Sequence, residues 1–292
     1  MAKTREIKKR IKAVGNIRRI TKTMQMIATS KFARSQQAAM ASKPYSAALF
    51  SLVGELSSGT GDVSHPLVNG TQAEGARDLT LIITSDRGLC GPYNGSVLRA
   101  SMALLRGNPG LRDGEIELVG KKGAGFLKFN RIPVSRQHSQ FGDKVTYEKV
   151  EALAQEYIDR FSAGQIKSVR VVFMKYLSAA RQMPETLQLL PFKPPARQVD
   201  SPEKGYDPVY EFSPDAGELL NHLLPAAVKA TLFQSFNDAV VSEHVARMVA
   251  MKSATDNAGK AGKRYTRIYN RARQAQITTE LTEIISGAAA LA

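Results

Sequence analysis

The sequence predicts an α/β protein: a long antiparallel coiled coil of N- and C-terminal helices with a central Rossmann-like α/β domain. Three observations carry that reading. Helical apolar spacing persists at both ends of the chain, strands alternate with helices in the middle, and basic charge gathers in the two end segments. With 292 residues the chain has room for one or two domains and a full core. The expected divisions are 1–60 for the N-terminal helix, 76–212 for the central domain and 213–292 for the C-terminal helix.

From Thr4 to about Ser57, apolar residues recur as Ile7, Ile11, Val14, Ile17, Met24, Ala28 and Phe32, which is helical spacing. At about 1.5 Å per residue such a helix runs roughly 80 Å. Pro44 should bend it or cost it a hydrogen bond. The segment Ser57 to Asp62, SSGTGD, reads as a stop, and a polar loop follows to about Ala76.

The middle changes character. DLTLIIT (Asp78 to Thr84) is a short apolar run of strand type, followed by a glycine-bearing turn and a helix from about Asn94 to Arg106. EIELVG (Glu115 to Gly120) is a second strand, GAGFLKF (Gly123 to Phe129) a helix, and IPVS (Ile132 to Ser135) a third strand. A helix over Thr146 to Ser162 leads into the strand SVRVVFMKY, Ser168 to Tyr176. This alternation argues for a mostly parallel sheet covered on both faces. Seven of the thirteen prolines fall between Pro184 and Pro214, so irregular or edge-strand structure closes the domain.

After Pro214 the helical pattern resumes through Val241, Val245, Met248, Thr255, Tyr265, Ile268, Ala272, Ala275, Leu281 and Ile285, on the order of 100 Å if unbroken. Two stripes of that length exceed what a central domain of this size can cover, so the helices are expected to wrap around each other. Thr255, Ala258, Gly259, Gly262 and Ala272 replace the usual large aliphatics. They predict a slim rod whose surface also meets something else.

Charge points the same way. The net +15 comes from 41 basic and 26 acidic residues. Residues 1–34 carry +10, residues 247–273 carry +7, and the remainder sums to −2. Two basic helical segments call for an acidic partner: nucleic acid, an anionic membrane or an acidic protein surface.

Several classes are excluded. No apolar run reaches the roughly 20 residues of a membrane span, and the basic start lacks the apolar core of a secretion signal. The chain is therefore expected to be neither secreted nor membrane-spanning. Cys90 is the sole cysteine, and His65, His138, His222 and His244 form no spaced cluster, so neither a disulfide framework nor a metal site is expected. ITSDRGLCGPYN (Ile83 to Asn94) lies where a phosphate can rest on a helix N-terminus. It lacks the GxxxxGK[ST] pattern, and KKGAGF (Lys121 to Phe126) lacks the third glycine of a dinucleotide fingerprint. Asp86, Arg87, Gly88 and Gly91 are accordingly expected to serve a tight structural turn. No nucleophile elbow or histidine pair appears, and neither catalytic residues nor a cofactor are expected.

Four segments resemble a known family. ITKTMQMIATSKF (Ile20 to Phe32), ITSDRGLCG (Ile83 to Gly91), SEHVARMVAMKSATDNA (Ser242 to Ala258) and ARQAQITTELTEIISGAAA (Ala272 to Ala290) are similar to hallmark segments of gamma subunits of F-type ATP synthases. The resemblance spans the whole chain. It implies a non-catalytic central rotor shaft that couples proton flow through a membrane ring to nucleotide sites on a hexamer of three alpha and three beta subunits. Epsilon and delta subunits and the c-ring are implied as further partners, nucleotide and nucleic acid are not. Met24 matches the family methionine near the catalytic subunit's acidic loop. Arg247 with Gln274 matches a pair that hydrogen-bonds to a catalytic-subunit loop, and Thr278, Glu280 and Glu283 match neighbouring coupling positions. The apolar tail would turn in the sleeve of the hexamer. Pro92 and Tyr93 depart from the family's glycine and small apolar residue, and with Cys90 alone no thiol switch is expected. The lack of a transit segment favours a bacterial source, and the likeness implies a peripheral position on the cytoplasmic face of the inner membrane. The competing readings from the residues alone are a basic helical hairpin that binds nucleic acid, disfavoured by the lack of tryptophan and of an aromatic platform, and a phosphate-binding enzyme built on the glycine turn.

Overall fold

A computed structural model describes residues 2–59, 65–70, 75–142, 145–193 and 216–291. Its elements are α1 (Ala2–Gly59), α2 (Pro66–Asn69), β1 (Arg77–Ile83), α3 (Tyr93–Gly107), α4 (Pro109–Arg112), β2 (Glu115–Val119), α5 (Lys122–Phe129), β3 (Arg136–His138), α6 (Tyr147–Ser162), β4 (Ile166–Tyr176), β5 (Gln182–Leu190) and α7 (Ala216–Leu291). The chain forms two compact units, one of Lys31–Ala246 and one of Met1–Ser30 with Arg247–Ala292. Part of the loop expected before Ala76, and the Pro-rich stretch 194–214, lie outside the described residues.

In the first unit one sheet has the strand order β3-β2-β1-β4-β5. β1 pairs in parallel with β2 and β4, β2 in parallel with β3, and β5 antiparallel with β4. The last five residues of β1 are all buried, as a strand covered on both faces requires. Its side chains divide by alternation. Leu79, Leu81 and Ile83 join Val150, Leu153 and Tyr157 of α6, Leu49 and Val53 of α1, and Leu224, Val228 and Phe236 of α7. Ile82 joins Val97, Leu98 and Leu105 of α3 and Leu127 of α5 on the opposite face. Pro184 lies in β5, which pairs on one side only, where a missing N–H is harmless.

One expectation needs correction. The third strand is not Ile132 to Ser135 but β3, three to four residues later. Arg131 takes a left-handed turn (φ 57°) and Pro133 has no N–H, so the chain first bonds to β2 at Ser135, whose N–H donates to the Ile116 carbonyl at 2.8 Å. Helix α1 continues through Pro44, which costs it one hydrogen bond, as expected. The carbonyl that Pro44 cannot serve belongs to Met40, an exposed residue, so water can take the donor's place.

A polar group is built into the apolar face of α6. Glu117 of β2 and His138 of β3 approach at 2.6 Å, and the Tyr157 hydroxyl of α6 donates to the same carboxylate at 2.6 Å. Arg160 stands 3.8 Å from the other Glu117 oxygen. This cluster ties edge strand β3 to its neighbour through side chains as well as backbone.

The second unit is a pair of helical segments from the two ends of the chain. Thr4 Oγ1 donates to Gln276 Oε1 at 3.0 Å, and the hydroxyls of Thr21 and Thr255 stand 2.8 Å apart. Between these, Val14 faces Gly262 and Arg18 faces Gly259. Residue numbers rise on one helix as they fall on the other, so the pair is antiparallel. Ile7, Ala28, Met251 and Ala258 are buried in the seam, at the helical spacing that a two-helix contact demands.

Candidate functional site

The two-helix unit keeps its apolar residues in a narrow seam and turns its charge outward. Lys8, Lys9, Arg10, Lys12, Arg18, Arg19 and Lys22 of α1 are exposed, as are Lys252, Lys260, Lys263, Arg264, Arg267, Arg271 and Arg273 of α7. Internal compensation is slight, since Glu6 and Asp256 are the acids within residues 1–34 and 247–273. Glu6 pairs with Arg10 at 2.7 Å, both side chains in solvent. Hydrogen bonds to Glu6 and Tyr265 hold the Arg10 guanidinium more firmly charged than usual. Fourteen cations against two acids form a surface that attracts negative charge.

Between the helices lies an open cleft of about 750 Å³, lined by Ile11, Val14 and Gly15 on one side and Ala258, Gly259 and Gly262 on the other. Arg18, Lys260, Lys263 and Arg267 rim it. The glycines answer no need of the chain itself. A Cβ on Gly15 would meet nothing within 4 Å, one on Gly259 would come 3.6 Å from Arg18 Nε, and one on Gly262 would come 3.9 Å from Val14. Glycine inside a helix costs roughly 1 kcal/mol relative to alanine. Three of them at one level thin the rod and open its cationic cleft to an outside surface.

The structure places the sequence-predicted residues along this unit without gathering all of them. Met24 is half-buried on α1, one turn from Thr21. Gln274, Thr278, Glu280 and Glu283 are exposed near the end of α7, where Thr278 Oγ1 donates to the Gln274 carbonyl at 3.0 Å and Gln276 donates to Glu280 at 2.8 Å. Arg247 and Gln274 lie 27 residues apart on the same helix, a distance of about 40 Å. They cannot grip one loop together. The exposed cation beside Gln274 is Arg273, which the ARQ triplet itself contains and which the motif match alone does not single out. Beyond Gln276, which is opposite Thr4, α7 outruns α1, and Ile277, Leu281, Ile284 and Ile285 are exposed.

The glycine-bearing turn is held by side chains at its two ends. Ser85 N–H donates to Asn94 Oδ1 at 3.0 Å, Ser85 Oγ donates to the Arg87 carbonyl at 2.7 Å, and Asn94 Nδ2 reaches Ser85 Oγ at 2.7 Å. Ser85 and Asn94 thus clasp the turn, with the Arg87 carbonyl tied into it. One buried oxygen of Asp86 has no hydrogen-bond partner among the described residues. Gly91 suits a tight turn with φ 56°, whereas Gly88 has no left-handed torsion and Leu89 does, at φ 64°. Gly120 also needs to be glycine, because a Cβ at its φ of 84° would collide with the Thr84 carbonyl. The crevice beyond the carboxyl ends of these strands is closed by Phe236, Ala239, Val240 and Glu243 of α7. A cavity of about 20 Å³ remains there, room for one water and far below the few hundred Å³ of a nucleotide pocket.

Among the described residues no group of acidic, histidine or cysteine side chains could hold a metal, and no helix is long and apolar enough to cross a membrane. The exposed cations of the two-helix unit suit it to binding a surface of opposite charge.

A family model described as ATP synthase matches residues 3–291. The ATP synthase gamma chain of Rhodopirellula baltica is 38% identical over 295 residues, covering all of this chain and 99% of the relative. That of Desulfitobacterium hafniense is 38% identical over 291 residues with full coverage of both. Among solved structures, a chain of the Euglena gracilis mitochondrial ATP synthase rotor shares the fold at a TM-score of 0.66 and 18% identity, covering 94% of this chain and 99% of that one. A chain of the Tetrahymena thermophila mitochondrial central stalk with its c-ring does so at 0.57 and 21%, covering 80% and 99%.

Proposed function

The chain belongs to the family of ATP synthase gamma chains, and from that membership we infer that it is the central shaft of a rotary ATP synthase. It makes and breaks no bonds. One observation carries the reading: the two ends of the chain meet as a thin antiparallel rod with a cationic surface and an apolar, unpaired tip. A rod of this kind acts by contact. Its faces differ around the axis, so rotation offers each catalytic subunit in turn a different set of charges and grooves. A subunit that binds one face better in one conformation is shifted toward that conformation by the difference in contact energy.

The finer assignments follow from the same reading. Three alpha and three beta subunits surround the rod, the basic helix faces and Met24 meet acidic segments of the catalytic subunits, and Gln274, with Arg273 beside it, latches onto one of their loops. A planar guanidinium suits such a latch because it forks onto carboxylate oxygens. Thr278, Glu280 and Glu283 work beside that latch. The apolar tip turns inside the hexamer, and epsilon and delta subunits and the membrane c-ring complete the assembly at the cytoplasmic face of a bacterial inner membrane. Divisions of the chain at 1–60, 76–212 and 213–292 belong to the same proposal.

The test is ATP hydrolysis by purified alpha and beta subunits with and without this chain, followed by sizing of the product. A complex with one copy of the chain and three of each partner, and a large gain in sustained turnover, is the expected result. Failure to assemble with subunits that accept another gamma chain would overturn the proposal. Salt-dependent binding of the free chain to nucleic acid would then be measured for the basic-hairpin reading.

A further inference from the structure

Helix α5 faces two ways. Leu127 is fully buried against the sheet, and a Cβ on Gly123 would press into Leu118 and Thr84, so this side of the helix is committed to the core. The other side carries Lys122, Gly125, Phe126 and Phe129 at helical spacing. Phe126 is 37% exposed and Phe129 86% exposed, the largest exposure among the big apolar residues described. Two phenylalanines on one solvent-facing stripe are a patch, not a scatter of single apolar residues.

The surrounding charge is one-sided. From Gly120 to Gly142 there are five cations before Asp143, Lys121, Lys122, Lys128, Arg131 and Arg136, and no acidic residue. Arg136 is paired with Glu156 at 2.5 Å. Lys121, Lys122, Lys128 and Arg131 are exposed, with no ion pair among the described residues. Gly125 adds a third observation. It has no left-handed torsion, and nothing lies within 4 Å of where a Cβ would stand, so neither backbone nor packing asks for glycine in this helix. Glycine there leaves a notch beside Phe126 and Phe129 through which another backbone can come close.

We propose that this face of α5 docks onto an acidic protein surface that receives Phe126 and Phe129 in an apolar socket ringed by carboxylates. The occupant is another subunit of the same assembly, so the proposal rests on the reading of this chain as a subunit. Charge selects against a second copy, since the patch is cationic and the chain carries +15. The notch selects for a protein rather than a lipid surface, because a fluid headgroup layer gains nothing from a missing Cβ.

The experiment uses the full complex, treated with a carbodiimide that joins lysines directly to neighbouring carboxylates, and maps the links by mass spectrometry. Lys121, Lys122 or Lys128 should be joined to an Asp or Glu of another subunit. The same lysines should lose about tenfold in reactivity toward an acylating reagent relative to the free chain. Phe129→Ser should abolish both effects while thermal unfolding of the chain stays within a few degrees, as expected for a side chain 86% exposed. A complex that assembles with these lysines as reactive as in the free chain would overturn the docking and leave the shaft reading intact. Protection that appears only with vesicles rich in phosphatidylglycerol would overturn it in favour of a lipid surface. If no complex forms, the shaft reading falls first, and the docking falls with it for want of its partner.

Discussion

Glu117 and His138 approach to 2.6 Å across two neighbouring strands, each almost wholly out of solvent. Burial pushes the Glu117 carboxyl up, but its hydrogen bonds with His138 and Tyr157, with the electrostatic influence of His138 and Arg136, more than offset this and hold it below the ordinary 4.5. The same burial, with the Glu117 charge, pushes the Tyr157 hydroxyl well above its usual range. A carboxylate stabilised in the folded state contributes stability above its unfolded value and loses that contribution as pH falls through its folded value. The window for this pair therefore opens below pH 4.5.

Glu117→Ala should cost about 3 kcal/mol, because it strands the Tyr157 hydroxyl and the His138 ring without their acceptor. Denaturant unfolding followed by circular dichroism measures it. Wild type should weaken as pH drops below 4.5, and the variant should lose part of that dependence. Parallel curves for the two proteins would show that the cluster does not control acid stability.

Gln274→Leu should leave the chain folded, since the side chain is exposed, yet lower ATP turnover of the assembled complex. Loss of a hydrogen bond of ~1 kcal/mol corresponds to about fivefold in rate. Arg273→Ala should act in the same direction, and Arg247→Ala should not reproduce the same defect, being about 40 Å away along the helix. Full turnover in assembled Gln274→Leu complexes would remove the latch.

Reversal of Arg10, Arg18 and Arg19 to Glu should weaken assembly or uncouple it, because three exposed cations become anions on the rod. Proton pumping by membrane vesicles carrying the variant reports coupling directly. Wild-type pumping would contradict an electrostatic role for these residues.

Gly259→Ala with Gly262→Ala should stabilise the free chain by up to about 1 kcal/mol per site, since both new methyl groups reach only ordinary contact distances. The cleft would narrow. Lower turnover in the assembled variant, against a raised melting temperature of the free chain, would separate the needs of the assembly from those of the fold. Unchanged turnover would mean that the cleft is idle.

Long periodic stretches are the most legible part of the sequence. Ile7, Val14 and Ala28 against Met251 and Ala258 repeat often enough to reveal two helices and their pairing, and the apolar runs of β1 and β4 declare strands buried on both faces. Short elements are harder. IPVS looks like a strand because it is apolar, but the ladder is set by where an N–H can reach β2, and Pro133 delays that to Ser135. The Ser85 and Asn94 clasp is a tertiary event of side chains nine residues apart, which no turn rule records. At the rod tip Gln274 is exposed, as a latch residue must be, whereas joining it to Arg247 ignores the rise of the helix between them. The aromatic patch of α5 is hidden because GAGFLKF satisfies a helix pattern whichever face it buries.

The surplus length of α7 bears on how such a chain survives its own synthesis. Past Gln276 it has no helix beside it among the described residues, and Ile277, Leu281, Ile284 and Ile285, the last two 71% and 59% exposed, are uncovered. A lone helix of roughly fifteen residues is marginal in water and sticky when apolar. Copies made in excess of their partners would therefore present a frayed, greasy end to proteases and to one another. Balanced production of the surrounding subunits, or early capture of this end by them, is the condition under which the chain persists.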